Sequence, residues 1–147
     1  MVVSIPWLAQ SVGGLRTGVL GYDSLGYHLP FAARFFQTGR VTSLYFTFPD
    51  LNTAFDPANA ELLHAFGIVA LRSDVLSAIQ NVGWLSLALL AAWCAHPQRS
   101  VRLATLAGVG ALLSSPFFVG FDGGRATNDL AGVALFLASI ALILNGG

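Results

Sequence analysis

One carboxylate near the N-terminus, Asp23, has the setting that acid–base chemistry needs. It lies within LGYDSLGYHLPFAARFFQTG, residues 20–39, where a few polar residues stand among aromatic and apolar ones. A carboxylate in a partly dehydrated site can act as a general base, because burial and nearby arginines tune its pKa. Asp23 can instead cap a helix that begins near Ser24, and the local sequence favours that simpler role.

His28 follows Asp23 by about one helical turn and lies roughly on the same face. There it can contact a phosphate or share a proton network, although a lone histidine is more often a hydrogen-bonded structural residue. Pro30 either starts the main helical stretch or kinks it, and either outcome would redirect the His28 side chain. Tyr27 is grouped with His28 as a candidate for substrate binding.

Two arginines, Arg34 and Arg40, come after this polar stretch. Guanidinium groups suit phosphate because they donate hydrogen bonds in a planar fork. Snorkelling toward lipid headgroups accounts for both arginines equally well. Substrate contact by Arg34 is therefore the less favoured of the two interpretations.

A second polar stretch is FDGGRATNDLAG, residues 121–132. Its two glycines permit a tight turn, and Arg125 offers a contact for an anion. Asn128 and Asp129 come at the start of a predicted apolar helix, where an ionised carboxylate costs less than the roughly 2.5–3.5 kcal/mol expected at a membrane-helix centre. Helix capping explains Asp129 as well as a functional role does.

The remaining polar residues match no familiar catalytic or metal-binding motif. Glu61 and His64 stand three residues apart on a predicted helix, and we interpret them as a polar pair on that helix. There is no HExxH, cysteine pair, Walker loop, GxGxxG or GxSxG. A divalent metal stays open as a cofactor, although no ligand motif supports one.

The composition is that of a membrane protein. Of 147 residues, 55% are hydrophobic and 10% are charged, whereas a soluble domain carries about a quarter charged residues. The mean hydropathy is +0.71. Seven arginines balance seven acids and there is no lysine, so no basic surface for nucleic acid is expected. Cys94 is the single cysteine, which excludes an internal disulfide.

Three apolar segments are long enough to cross a bilayer: 75–95, 101–121 and 127–144. Asp74 is a plausible N-cap for the first of them. We therefore predict an all-α fold, specifically a polytopic transmembrane helix bundle, because helices are the only open-ended structures that satisfy their backbone in lipid.

Residues 1–74 form the predicted outer part of the molecule. Two interfacial helices are expected there, at about 24–38 and 57–71. Asp56 as N-cap and Pro57 at the first helical position mark the start of the second one. The first residues are neither a secretory signal nor a good spanning helix, because Pro, Gln, Gly and Arg interrupt them. We expect the chain to be a fragment of one larger membrane domain.

Arginine placement predicts the sidedness of the loops. The link at 96–102 carries two arginines without an acid, so it is expected inside, at the plasma membrane. Residues 122–126 and 15–74 are then expected outside. This arrangement places Asp23 and Asp129 on the same side of the membrane, where they could border one cavity.

Three stretches resemble the N-terminal part of bacterial GT-C glycosyltransferases, related to the protein O-mannosyltransferase and aminoarabinose transferase group. They are YDSLGYHLPFAARFFQTGR, FDPANAELLHAFGIVALRSD and SSPFFVGFDGGRATNDLAGVALFLA. The resemblance implies a bundle of transmembrane helices, a large first outer loop with two surface helices and a catalytic Asp, and a donor sugar carried on a polyprenyl phosphate.

By this resemblance, Asp23 is the catalytic base toward an acceptor hydroxyl that the sequence does not identify. Ser24 stands where the mannosyltransferases have a second acid, which argues against that subgroup and against a bound metal. The predicted substrate-binding residues are Tyr27, His28, Arg34, Arg125, Asn128 and Asp129. Two other functions remain open, a transporter or channel fragment and a non-catalytic membrane assembly subunit.

Overall fold

The computed structural model describes residues 3–42 and 58–146. Within those residues the chain is helical and contains no strand, which confirms the predicted all-α class. The elements are α1 (Ser4–Thr17), a π-helical turn (Ser24–His28), α2 (Leu29–Thr38), α3 (Asn59–Leu71), α4 (Val75–Cys94), α5 (Arg99–Leu113), α6 (Pro116–Asp122) and α7 (Asp129–Gly146).

The main core forms around α4, which contacts α1, α3, α5 and α7. Its fully buried side chains come from helices on several sides: Trp7, Leu85, Ala88, Leu113, Leu130 and Ala134. The indole of Trp7 also donates a hydrogen bond to the carbonyl of Leu113, at 2.9 Å. The buried Trp7 therefore holds α1 against the end of α5.

Helix α1 forms although the sequence in this region is interrupted by helix-weakening residues. Pro6 falls in the first turn, where its missing N–H would have had no partner within the helix. A Cβ added to Gly14 would lie 2.6 Å from the carbonyl oxygen of Gly124. The glycine that weakens α1 as an isolated helix is therefore required for its packing.

Helices α2 and α3 pack side by side and run in the same direction. His28 contacts Glu61 where both helices begin, and the guanidinium of Arg72 lies 5.2 Å from the ring of Phe36 where both end. Their contact buries Phe31, Ala32, Phe35 and Ala65. The predicted start of the second helix at Asp56 and Pro57 lies outside the described residues, and the helix is observed from Asn59.

The predicted interfacial helix at 24–38 is interrupted near its start by the π-helical turn. The N–H of Leu29 donates to the carbonyl of Ser24, five residues earlier. Pro30 explains the wider turn, because it has no N–H and its ring would clash with the carbonyl four residues before it. The extra residue in the turn changes the direction of His28, as the sequence predicts for this proline.

The predicted spans at 101–121 and 127–144 differ from the structure. The first is bent by 63° between α5 and α6, because Ser115 is extended and Pro116 starts a new helix. The second corresponds to α7, but the apolar part of that helix, Asp129–Asn145, has 17 residues and falls just short of the length of a spanning helix. Among the described residues one helix, α4, is long and apolar enough to cross a membrane, or two if the bent pair forms one span. The three-span bundle therefore stays a prediction.

Candidate functional site

Polar side chains from several segments are buried together near the start of α4. They are Ser24 and His28 from the π-helical turn, Glu61 and His64 from α3, Ser77 and Asn81 from α4, Asp122 from the end of α6, and Thr127 from the loop that follows. Each is at most 5% exposed. We call these residues the polar cluster. Buried polar groups require partners, so their bonds define the geometry of this region.

His28 and Glu61 form the closest contact of the polar cluster between separate elements. The Nδ1 of His28 lies 2.5 Å from Oε1 of Glu61. This is the one ion pair found in the parts of the chain that the structure describes. With Nδ1 occupied by Glu61, only the other ring nitrogen of His28 can reach a further group.

His64 lies beside this pair. Its Nδ1 is 2.9 Å from the hydroxyl of Ser77, and its ring centre is 6.4 Å from that of His28. Burial, and to a smaller extent the nearby His28, lower the pKa of His64 from 6.5 to about 4, although Glu61 acts in the opposite direction. His64 is therefore neutral at physiological pH.

The interpretation of Glu61 and His64 as a polar pair on the surface of one helix is wrong. Both are buried, and each bonds to a residue from another element. The two side chains are buried because α2 and α4 pack against this face of α3. Oε2 of Glu61 and Nε2 of His64 have no hydrogen-bond partner among the described residues.

Asn81 fixes the turn that follows α6. Its side-chain amide donates to the carbonyl of Asp122 at 2.8 Å and to the hydroxyl of Thr127 at 3.1 Å. Thr127 in turn donates to Oδ1 of Asp122, at 2.5 Å. The backbone φ of Gly124 is +69°, a value that residues other than glycine rarely adopt. Asp122 was not selected from the sequence, although the motif DGG next to an apolar helix is a turn signal that could have drawn attention to it.

The two polar stretches selected from the sequence meet in the structure. The backbone N–H of Ala126 donates to the hydroxyl of Ser24 at 3.0 Å, across 102 positions of the chain. A Cβ added to Gly21 would lie 3.0 Å from Cδ of Arg125, so Arg125 packs directly over Gly21. The residues that flank Asp23 are thus in contact with the turn that precedes Asp129.

The predicted catalytic residue, Asp23, is half-buried beside this contact. It adopts helical backbone angles and its side chain makes no capping hydrogen bond. The capping role that the local sequence favours is therefore wrong. Asp74 likewise makes no side-chain cap on α4, where the hydroxyl of Ser73 accepts from the N–H of Val75 instead.

The predicted substrate-binding residues divide into two groups. His28 is buried, Tyr27 stacks near it with ring centres 4.1 Å apart, and Arg125 is partly buried. Arg34, Asn128 and Asp129 are exposed. Asp129 is the first residue of α7, where a carboxylate favours the positive end of the helix dipole.

No group of three or more His, Cys, Asp or Glu side chains in the described ranges has an arrangement that could hold a metal ion. The polar cluster is therefore better described as a hydrogen-bonded network than as a metal centre.

A large apolar groove opens between α1, α3 and α4. Its volume is about 770 Å³. Among the side chains that line it are Leu8, Leu15, Leu63, Phe66, Ile79 and Trp84.

Comparisons with protein-family models, with curated protein sequences and with solved structures found no match for this chain. The resemblance to GT-C glycosyltransferases thus rests on the sequence stretches quoted above.

Proposed function

We propose that the chain is part of a polytopic membrane glycosyltransferase of the GT-C type. It would transfer a sugar from a polyprenyl-phosphate donor to an acceptor on the outer face of the membrane. The observation that supports this most is the contact between Ser24 and Ala126. It joins the segment that carries Asp23 to the segment that carries Arg125, as one active site built from two outer loops requires.

In this proposal Asp23 removes the proton from the acceptor hydroxyl. The hydroxyl oxygen attacks the anomeric carbon, the bond from that carbon to the phosphate oxygen breaks, and the polyprenyl phosphate leaves with the electron pair. A half-buried carboxylate that is not used as a helix cap is available for this role. Ser24, next to Asp23, is fixed to the 122–127 turn, which holds the carboxylate in place.

Arg125 is the better candidate for the phosphate of the donor. It packs over Gly21, two residues before Asp23. Arg34 is exposed on α2, 11 residues after Asp23 and thus roughly 16 Å further along a helix. A guanidinium near the phosphate stabilises the negative charge that develops on the leaving group.

The apolar groove between α1, α3 and α4 suits the chain of a lipid-linked donor. Its walls are mostly aliphatic or aromatic, and its volume lies in the range of about 300–1,000 Å³ that is typical of small-molecule sites, which is enough for part of a lipid chain. On α3, the groove is lined by Leu63 and Phe66, and both side chains are exposed.

The polar contacts favour an enzyme over a transporter. A transport path would be lined by polar groups that contact the solute or water. Asn81 is instead buried, and its amide donates to groups of the 122–127 turn. A non-catalytic assembly subunit remains the alternative that an activity measurement has to test.

Transfer of labelled sugar tests the proposal directly. Membranes that contain the protein are supplied with polyprenyl-phosphate sugars, and separately with nucleotide sugars, and label in the acceptor fraction is measured. We expect label to come from the polyprenyl-phosphate donor alone. Absence of transfer from every such donor, together with uptake of solute into vesicles, would favour the transporter instead.

Native Cys94 allows the sidedness to be measured. It is exposed at the end of α4, next to the link predicted to lie inside. A membrane-impermeant maleimide should label it only after the cells are opened. The double variant Cys94→Ser with Arg40→Cys should instead be labelled in intact cells. The reverse pattern would contradict the predicted orientation.

A further inference from the structure

A second basic and apolar site lies at the opposite end of α2 and α3 from the polar cluster. The two helices begin at the His28–Glu61 pair and end together near Phe36 and Arg72. A helix rises about 1.5 Å per residue, so the two ends are about 15 Å apart. A ligand held at the far end would not be presented to Asp23.

A small cleft of about 280 Å³ opens between the last turn of α2 and the face of α3 that runs from Leu62 to Val69. Its lining includes the apolar side chains of Phe35, Phe36, Leu62, Phe66 and Val69, together with the cation Arg40. Arg72 stacks on Phe36 at the same place. We call this the arginine cleft.

Arg72 occupies an unusual backbone conformation. Its φ is +54°, the one positive value at a residue other than glycine in the described ranges. Its N–H donates to the carbonyl of Ile68 and closes the C-terminus of α3. Glycine is the residue that normally occupies such a position, since it adopts positive φ without strain. An arginine here is strained, yet its guanidinium lies over the ring of Phe36, which lines the cleft.

Within the described ranges, the two cations of the cleft have no acidic partner. Neither Arg40 nor Arg72 forms an ion pair with a carboxylate of the described residues. The helix dipole accounts for a cation at the end of each helix separately. It does not account for an arginine in a conformation that suits glycine, or for the apolar walls between the two cations.

We propose that the arginine cleft binds the phosphate headgroup of an anionic bilayer phospholipid, such as phosphatidylglycerol. The two guanidinium groups complement the phosphate, and the aromatic walls contact the first part of the lipid chains. The site rests on the membrane placement proposed above, and it is distinct from the groove of the sugar donor, with which it shares only the side chain of Phe66. Its role is to hold α2 and α3 at the membrane surface.

Thermal unfolding of the purified chain in zwitterionic detergent tests the proposal. Four ligands are titrated: phosphatidylglycerol, phosphatidylcholine with the same acyl chains, sodium phosphate and a polyprenyl phosphate. We expect phosphatidylglycerol to raise the unfolding temperature at concentrations where phosphatidylcholine and free phosphate do not. Equal effects of both phospholipids, or of free phosphate, would overturn the proposal.

The variants Arg72→Gly and Arg40→Gln test whether phosphatidylglycerol raises the unfolding temperature by binding in the arginine cleft. Arg72→Gly should leave the unfolding temperature without lipid no lower than before, because glycine suits the positive φ. Each variant should weaken the response to phosphatidylglycerol about fivefold. Arg99→Gln, at an exposed arginine at the start of α5, is the matched control and should leave the response unchanged. Unchanged affinity in the first two variants would overturn the assignment to the arginine cleft.

The titration with polyprenyl phosphate distinguishes the phospholipid site from the donor site. If that lipid acts at lower concentration than phosphatidylglycerol and depends on Arg40 and Arg72, the cleft belongs to the donor and the proposal is wrong. No sugar is transferred in this experiment. The chain can therefore lose the transferase function and keep the phospholipid site, or the reverse.

Discussion

His28 and Glu61 pair through Nδ1 and Oε1 at 2.5 Å, and both side chains are almost fully buried. The pair joins a π-helical turn to the start of α3, across 33 positions of the chain. The pair therefore connects the segment that carries Asp23 to α3. Turns of this kind are frequent at functional sites, where the extra residue redirects a side chain.

Breaking this pair should destabilise the protein strongly. We expect Glu61→Ala to lower the free energy of unfolding by about 3 kcal/mol, because a buried partner is left without its counterpart. Glu61→Gln can still hydrogen-bond to His28 and should cost about 1 kcal/mol. Thermal and denaturant unfolding in detergent measure both. Asp74→Ala, at an exposed acid before α4, serves as the control, and an equal loss there would contradict the account.

The contribution of His64 to stability should decrease as the solution is acidified, because its pKa is lowered in the folded chain. Its usual pKa is 6.5 and its folded-state pKa is about 4. The unfolded chain therefore binds more protons between these values, and the free energy of unfolding decreases as pH falls from about 6.5 to about 4. The decrease amounts to at most between about 3 and 4 kcal/mol, at about 1.4 kcal/mol for each pKa unit.

A variant isolates the contribution of His64 from that of its neighbours. The groups that face it are His28 on the π-helical turn, Glu61 on α3 and Ser77 on α4. The difference in unfolding temperature between the original chain and His64→Asn should change in favour of the variant as the pH falls from 6.5 to 4. A difference that stays constant over this range would show that other groups cause the pH dependence.

Two adjacent glycines in α1 should respond in opposite ways to substitution. Gly14→Ala places a Cβ 2.6 Å from the carbonyl of Gly124, and such overpacking costs about 1–3 kcal/mol. Gly13→Ala meets nothing within 4 Å and should stabilise the helix by up to about 1 kcal/mol. Unfolding temperatures of the two variants provide the comparison. Equal effects would mean that α1 does not pack on this turn.

Asn81 should be needed for the shape of the 122–127 turn. Asn81→Ala removes its bonds to Asp122 and Thr127, and buried acceptors left without donors cost about 1–3 kcal/mol. Gln80→Ala, the neighbouring residue on α4, should cost much less, because Gln80 is only half-buried. Protection of the 122–127 amides from hydrogen exchange should fall in the first variant alone.

Continuous apolar runs made α4 predictable from the sequence. The predicted segment 75–95 and the observed helix Val75–Cys94 agree at the start and differ by one residue at the end. The bend before α6 was missed because apolar composition does not reveal that Ser115 becomes extended. Pro116 was the available signal, since proline disfavours a helical conformation in the residue before it.

The polar cluster was predictable only in part. The sequence selected His28 and the residues around Arg125, but it assigned Glu61 and His64 to a helix surface. Local spacing shows which face of α3 they share, whereas their burial depends on α2 and α4. The role of Gly14 was also hidden, because a glycine that touches a distant turn looks the same in the sequence as one that weakens a helix.

Turnover of the Asp23→Asn variant tests the central claim most directly. The amide cannot accept the proton of the acceptor hydroxyl, while the size and position of the side chain are kept. We expect transfer from the polyprenyl-phosphate donor to fall by at least about 10²-fold, with the unfolding temperature unchanged. Asp74→Asn, outside the polar cluster, should retain full turnover. An Asp23→Asn protein that transfers sugar as fast as the original chain would contradict the assignment of Asp23 as the base.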